Sequence, residues 1–212
     1  MMTTMSRMFK QLPWVLLIMV LVGLKVWEET QYAPVTPSPE PSADWETLVE
    51  PRWQPDGYND GDSFKIAHAD GVQELRLYFV DCPEKRLHQY NEERLEDQGR
   101  DFGGRSVEQM IELGERGRDF TEALLTSRPF EVHTRWEPVF KSRRRYIMVR
   151  VTEADGKQRF LSEILVREGL ARIHTLGVDL PDGTKRAAFE KHLREIEAEA
   201  KREKRGAWGL AK

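Results

Sequence analysis

Apolar and polar positions alternate at period two over Ser63-Phe64-Lys65-Ile66 and again from Leu75 to Val80, with Asp70-Gly71 between the two runs. Alternation of this kind marks half-buried strands, and Asp-Gly is a hairpin turn signal, so the pattern predicts a hairpin. In its second strand Leu75, Leu77 and Phe79 point one way, while Arg76 and Tyr78 point the other. Phe130-Glu131-Val132-His133-Thr134 predicts a further strand, and Tyr146 to Val151 another, which turns at Asp155-Gly156. Helical spacing takes over elsewhere. Residues 115–127 place Phe120, Ala123 and Leu124 on one face, and residues 161–168 end at Gly169, a C-terminal cap. Residues 185–204 carry Phe189, Leu193, Ile196 and Ala200 at helical intervals. Residues 86–114 are charged and punctuated by Gly99, Gly103 and Gly104. They are expected to form a partly helical, mobile excursion.

The N-terminus follows a different pattern. Arg7 and Lys10 precede an uncharged run of 11 residues, Trp14 to Leu24. A membrane span needs about 20 predominantly apolar residues. Counted from Leu12 to Trp27, with Lys25 reaching the interface, the run approaches a minimal hydrophobic helix. Residues 1–27 are therefore expected to be an uncleaved signal anchor or a cleaved signal peptide. Under the positive-inside rule, the remainder faces away from the cytoplasm. The expected location is membrane-anchored with the domain outside the cytoplasm, or secreted or periplasmic. Residues 28–50 hold Pro34, Pro37, Pro39 and Pro41, which favour an extended spacer unable to pack a core. The folded unit is expected to run from Pro51 to the end, 51–212.

Composition narrows the function classes. Charged residues make up 33% of the 212-residue chain and apolar residues 39%, with a mean hydropathy of −0.63, which excludes a polytopic membrane protein. The one cysteine excludes an intramolecular disulfide and any multi-cysteine metal site. Net charge is −3, so bulk charge does not indicate a polybasic nucleic-acid binder. Residues 1–50 hold three basic and six acidic side chains, leaving 30 of each in 51–212. Binding to a polyanion then depends on a local basic cluster.

Acidic residues bracket the first hairpin: Asp60-Gly61-Asp62 before it and Asp81-Cys82-Pro83-Glu84 after it. A hairpin brings the start of its first strand near the end of its second, so Asp62 and Asp81 could converge with Glu84 one turn away. Three such carboxylates repel one another unless a cation sits among them, and hard oxygen ligands favour Ca²⁺ or Mg²⁺. Arg76 lies on the strand that leads to Asp81, where a guanidinium would suit a phosphate. Arg143-Arg144-Arg145 opens another strand and can supply a second phosphate clamp. A cation, two arginines and a spare carboxylate together suit phosphodiester hydrolysis. Taken singly, each motif also reads as ordinary structure: a turn, a helix start, a solvated charged face.

In that order and spacing, these motifs resemble the staphylococcal nuclease (thermonuclease) family. The resemblance rests on Asp60-Gly61-Asp62-Ser63-Phe64-Lys65, on Leu75-Arg76-Leu77-Tyr78-Phe79-Val80-Asp81-Cys82-Pro83-Glu84 and on Ala154-Asp155-Gly156-Lys157. It continues through Leu165-Val166-Arg167-Glu168-Gly169-Leu170-Ala171 and closes with Glu197 to Trp208, covering roughly residues 56–209. It implies an α+β fold, an OB-type five-stranded β-barrel with about three α-helices, preceded here by the N-terminal hydrophobic helix. It also implies Ca²⁺-dependent endonucleolysis of DNA and RNA, leaving 3′-phosphates. Asp62 and Asp81 match its calcium ligands, with the Cys82 main-chain carbonyl alongside where the family usually has threonine. Glu84 matches the carboxylate that orients or deprotonates the attacking water. Arg76 matches the transition-state arginine. Lys141-Ser142-Arg143-Arg144-Arg145-Tyr146 aligns best with Arg144 as the second arginine, with Arg143 or Arg145 in that role if the register slips by one. Lys141 and both arginines are the expected substrate-binding residues.

Three departures accompany the resemblance. Ser142 stands where the family has tyrosine, the base-stacking aromatics are missing near Thr175 and Gly177, and the 86–114 segment is longer than the family's loop. The alternative function is a non-catalytic OB-type module that binds nucleic acid or protein. A monomer is expected. The five histidines show no metal-binding spacing, and Trp208 is expected to anchor the last helix in the core.

Overall fold

A computed structural model describes residues 44–211. The expected hydrophobic helix of residues 1–27 and most of the proline-rich spacer lie outside the described residues. Among the described residues no helix is long and apolar enough to cross a membrane.

The predicted hairpin is present as β3 (Ser63–His68) and β4 (Gly71–Leu77), paired antiparallel with Ser63 opposite Arg76. It is preceded by β1 (Glu46–Thr47) and β2 (Arg52–Gln54) and followed by the short β5 (Val80–Asp81). Two helices come next, α1 (Glu92–Asp101) and α2 (Val107–Ser127), then strands β6 (Phe130–Pro138), β7 (Arg145–Thr152) and β8 (Gln158–Phe160). Helix α3 (Leu161–Arg167), strand β9 (Arg172–Ile173), helix α4 (Arg186–Arg202) and a 3₁₀ turn (Gly206–Gly209) complete the chain.

The class is α+β. The main sheet runs β1-β6-β7-β4-β3-β2 with β8 on β7, and β5 pairs with β9 in a second, two-stranded sheet. Among the described residues the main sheet thus holds seven strands and the second sheet two, where a five-stranded barrel was expected. Among the described residues the ladder does not return from β2 to β1, so strand pairing does not trace the closed barrel. The apolar faces of β3, β4 and β7 bury Phe64, Ile66, Leu75, Leu77, Ile147 and Val149 against α3 and α4, from which Ile164, Leu165, Phe189 and Leu193 enter the core. Gly169 has φ +65°, the left-handed conformation that lets it end α3 as expected.

Four expectations need correction. The folded unit does not wait for Pro51. Trp45 and Leu48 are buried and β1 pairs with β6, so the prolines before residue 42 do not keep the spacer's last residues out of the core. The 86–114 segment is partly helical, as expected, but it is not a loose excursion. Its apolar side chains Leu95, Phe102, Met110 and Leu113 are all fully buried, which anchors it despite its charge. Helix α2 therefore begins at Val107, where Ser106 caps it by accepting the Gln109 N–H while Gln109 accepts the Ser106 N–H. Four helices result among the described residues, against the three or so expected. Finally, β4 stops at Leu77. Phe79 takes φ +72°, a rare conformation for a bulky residue, and the chain swings away to pair β5 with β9. Strict alternation through Val80 fails because Tyr78, Phe79 and Val80 are all buried at this bend.

Candidate active site

The bend at Phe79 folds Asp81 back toward its own strand. Arg76 Nη2 donates to Asp81 Oδ1 at 2.6 Å and lies 3.2 Å from Asp62 Oδ2, so one guanidinium joins the two carboxylates that the hairpin was expected to bring together. Asp62 Oδ2 also accepts the Cys82 N–H at 2.8 Å. Helix α2 seats both acidic segments. A Cβ on Gly114 would lie 2.6 Å from the Glu84 carbonyl carbon, one on Gly61 would lie 2.8 Å from Cys82 Sγ, and Thr121 Oγ1 donates to the Gly61 carbonyl at 2.9 Å. The glycines at these contacts let α2 press directly on the backbone that carries Asp62 and Glu84.

The second arginine arrives through the sheet. The pairing of β4 with β7 is the one parallel pair among the described residues, and it sets Arg76 opposite Tyr146. Arg144, two residues before Tyr146, consequently reaches the same place: its Nη1 donates to Ser63 Oγ at 3.0 Å, and Arg76 Nη1 donates to the same hydroxyl at 3.1 Å. Ser142 holds this arginine, accepting from Arg144 Nε at 2.9 Å. The serine at the family's tyrosine position thus has a local task. Arg143 is exposed, and Arg145 Nη1 turns back to the Arg144 carbonyl. Lys141 sits on the exposed turn with its ammonium 5.2 Å from the Phe140 ring.

Sequence reasoning missed a second group of residues. Arg94, on α1, donates from Nη2 to Asp81 Oδ1 at 2.6 Å and pairs through Nη1 with Glu84 Oε1 at 2.5 Å. One turn on, Gln98 Nε2 donates to Asp81 Oδ2 at 2.8 Å and to the Cys82 carbonyl at 3.1 Å. Arg172, on β9, donates from Nε to Asp81 Oδ2 at 2.9 Å and from Nη1 to Asp101 at 2.6 Å. Asp60 pairs with Lys85 at 3.1 Å. The four-residue spacing of Arg94 and Gln98, beside the apolar Leu95 and Phe102, was the available signal for an inward-facing helix.

Burial and charge then act in opposite directions on the two aspartates. Burial pushes Asp81 up, but Arg94, Arg76, Gln98 and Arg172 outweigh it and hold the carboxyl well below the usual carboxylate range. Burial also pushes Asp62 up. Arg76 opposes that rise and the neighbouring Asp81 reinforces it, leaving Asp62 above its ordinary value. The Cys82 thiol is raised well above its ordinary value, first by burial and then by the nearby aspartates, so it is neither a ready nucleophile nor a thiolate ligand.

These residues do not present a calcium site as arranged. Ca²⁺ takes 6–8 oxygen ligands. Both Asp81 oxygens are occupied by cationic or amide donors, the Cys82 carbonyl accepts from Gln98, and Glu84 is drawn to Arg94. Gln98 Oε1 and Asp60 Oδ1 are buried without a hydrogen-bond partner, but the Asp60 oxygen is ion-paired to Lys85 at 3.1 Å, and one remaining neutral oxygen is far from a coordination shell. Among the described residues no group of three or more His, Cys, Asp and Glu side chains is arranged to hold a metal ion.

Above this cluster opens a cleft of about 800 Å³ whose walls include Arg76, Arg94, Arg144, Arg172 and Phe140. With Arg100 it is lined by five arginines, against Asp81, Asp97 and Asp101, an excess of guanidiniums that suits a phosphate-bearing ligand. The family model for staphylococcal nuclease homologues matches residues 74–209. The chain belongs to that family. The match covers Arg76, Asp81, Glu84 and Arg144 and begins after Asp62. No curated protein matches the chain. As a staphylococcal nuclease homologue, the chain has its two expected arginines side by side, and the long 86–114 segment packs a helix against the acidic residues.

Proposed function

We propose that the protein is a nuclease that hydrolyses phosphodiester bonds of DNA or RNA. One observation carries the reading: Arg76 and Arg144, more than sixty residues apart in the chain, both donate to Ser63 Oγ and both line one open cleft. Two forked guanidiniums so placed can hold two oxygens of one phosphodiester and stabilise the charge that builds on it during attack. Glu84, on the same cluster, is the carboxylate for the water. The water oxygen attacks phosphorus while its proton passes to Glu84. The P–O5′ bond breaks, and the leaving 5′-oxygen takes a proton from solvent, leaving a 3′-phosphate. Phe140 is 85% exposed at the cleft and offers a face on which a base can stack, in place of the aromatics missing near Thr175 and Gly177. Lys141 beside it supplies positive charge for the backbone.

Family membership implies dependence on Ca²⁺, whereas the charge pairing around Asp81 favours compensation from within the protein. The Arg7/Lys10 flank and the Trp14–Leu24 run support a domain held at a membrane outside the cytoplasm, or exported. Alkaline carbonate extraction of the full-length protein tests the first alternative, and N-terminal sequencing of the mature protein tests the second.

The deciding experiment is cleavage of single-stranded DNA and of RNA by the wild type and by Arg144→Lys. Wild-type cleavage that the variant loses supports the reading. Nucleic-acid binding without cleavage by the wild type favours the alternative of a non-catalytic binding module.

A further inference from the structure

Arg94 is the residue for which the family's chemistry has no assigned part. It bridges two carboxylates, reaching Asp81 through one terminal nitrogen and Glu84 through the other. Its helix closes what remains: Gln98 covers the second Asp81 oxygen and the Cys82 carbonyl. Three of the four groups expected to surround a cation are thus engaged by α1. The helix is not a loose flap. Leu95 and Phe102 are fully buried beneath it, and Asp101 at its end is tied to Arg172. Each carboxylate also has a guanidinium partner. Asp62 and Asp81 pair with Arg76, Asp81 and Glu84 with Arg94, and Asp81 and Asp101 with Arg172. A divalent cation entering this cluster would meet three guanidiniums at close range in a poorly solvated site, where like-charge repulsion is weakly screened.

We infer that Arg94 stands in place of a divalent cation, so that this chain neutralises its carboxylates, and works, without Ca²⁺. The activity part of this inference rests on the nuclease reading; the calcium part does not. Arg94 bridges the acidic groups that a metal would otherwise join. Its side chain is 39% exposed and lines the cleft, so it also faces an incoming phosphate.

Two measurements on the full-length protein test the inference. The first is calorimetric titration with CaCl₂, paired with thermal unfolding in CaCl₂ or EGTA. The wild type is expected to give no saturable calcium heat and no shift in Tm. Arg94→Ala, which frees Glu84 and one acceptor position on Asp81 Oδ1, is expected to gain both. Arg94→Gln, which keeps most of the length and removes the charge, guards against a variant that fails to fold. Saturable calcium binding by the wild type that Asp81→Asn abolishes would overturn the inference, as would the absence of any gain in both Arg94 variants. The second measurement is cleavage of single-stranded DNA. Undiminished cleavage in EGTA is expected, and cleavage only on addition of Ca²⁺ overturns the inference. Absence of cleavage in either buffer overturns the nuclease reading instead, and the titration still decides the part assigned to Arg94.

Discussion

Arg94 Nη2 and Asp81 Oδ1 meet at 2.6 Å, and Arg76 Nη2 lies at the same distance from the same oxygen. A single carboxylate oxygen thus gathers guanidiniums from a strand and from a helix, and Arg172 closes the other oxygen from a third element. Asp81 is the electrostatic centre of the site, more so than Asp62.

This asymmetry gives opposite expectations for two similar substitutions. Asp81→Asn leaves Arg76, Arg94 and Arg172 crowded without their shared anion, and breaking such a buried network costs about 3–5 kcal/mol. Asp62→Asn removes a carboxylate that burial already disfavours and keeps an acceptor for the Cys82 N–H, so its Tm at neutral pH should equal or exceed that of the wild type. The pH dependence carries the same signs. The folded-state pKa of Asp81 is depressed, so its contribution is present above its unfolded value near 3.8 and is lost as pH falls toward the folded value. The folded-state pKa of Asp62 is raised, so its cost appears as pH rises through 3.8 toward its folded value. Urea unfolding of both variants across the acid range checks this. Equal destabilisation by the two would refute the asymmetry.

Turnover should separate from stability at Arg144. It is half-buried, donates to Ser63 and Ser142 and has one long ion pair, to Glu74 at 3.9 Å, which a lysine can keep, so Arg144→Lys is expected to keep its Tm and lose about 10²–10³-fold in kcat. Arg143→Lys and Arg145→Lys should stay active, because neither side chain has a hydrogen bond to Ser63. Glu84→Gln should lower kcat by about 10²–10⁴-fold, the range for loss of a general base. Steady-state kinetics on one oligonucleotide decides all four, and an inactive Arg143→Lys beside an active Arg144→Lys would shift the register.

Gly114 is a structural test of how Glu84 is held. A Cβ there would lie 2.6 Å from both the Pro83 carbonyl oxygen and the Glu84 carbonyl carbon, where backbone has little room to yield. Gly114→Ala should cost about 1–3 kcal/mol of stability and reduce activity further by displacing Glu84. A variant with wild-type denaturant midpoint and wild-type kcat would show that this contact does not matter.

Phe140 predicts an effect on binding alone. Phe140→Ala removes an exposed ring, so Tm should not change. KM for single-stranded DNA should rise by the equivalent of about 1–3 kcal/mol, the usual contribution of one stacked base. An unchanged KM removes the stacking role.

Much of this site was legible in the sequence because its first half is local. A hairpin with Asp-Gly at its tip returns Arg76 to the start of its first strand beside Asp62, and the family resemblance singled out Arg144 from its two neighbours. The rest depends on docking that no local pattern encodes. Arg94 and Gln98 lie in a segment so charged that only Leu95 and Phe102 mark its buried face. Their targets lie across a tertiary contact. Arg172 belongs to a two-residue strand whose partner β5 exists only because Phe79 turns the chain. Trp45 and Leu48 were hidden by the prolines before them, although two large apolar side chains suffice to dock a short edge strand on β6.

The parallel pairing of β4 with β7 has a consequence for how the protein comes to be made. Strand β7 begins 68 residues after β4 ends, and Arg172 lies 91 residues beyond Asp81. Contacts of such long sequence separation carry a large loop-closure cost and form late. A chain emerging from the ribosome therefore cannot bring Arg144 beside Arg76 until β7 is out, and Asp81 lacks its full set of partners until β9 follows. Until then Arg144 stays apart from Arg76, and the newly made chain lacks the cleft in which the two guanidiniums meet.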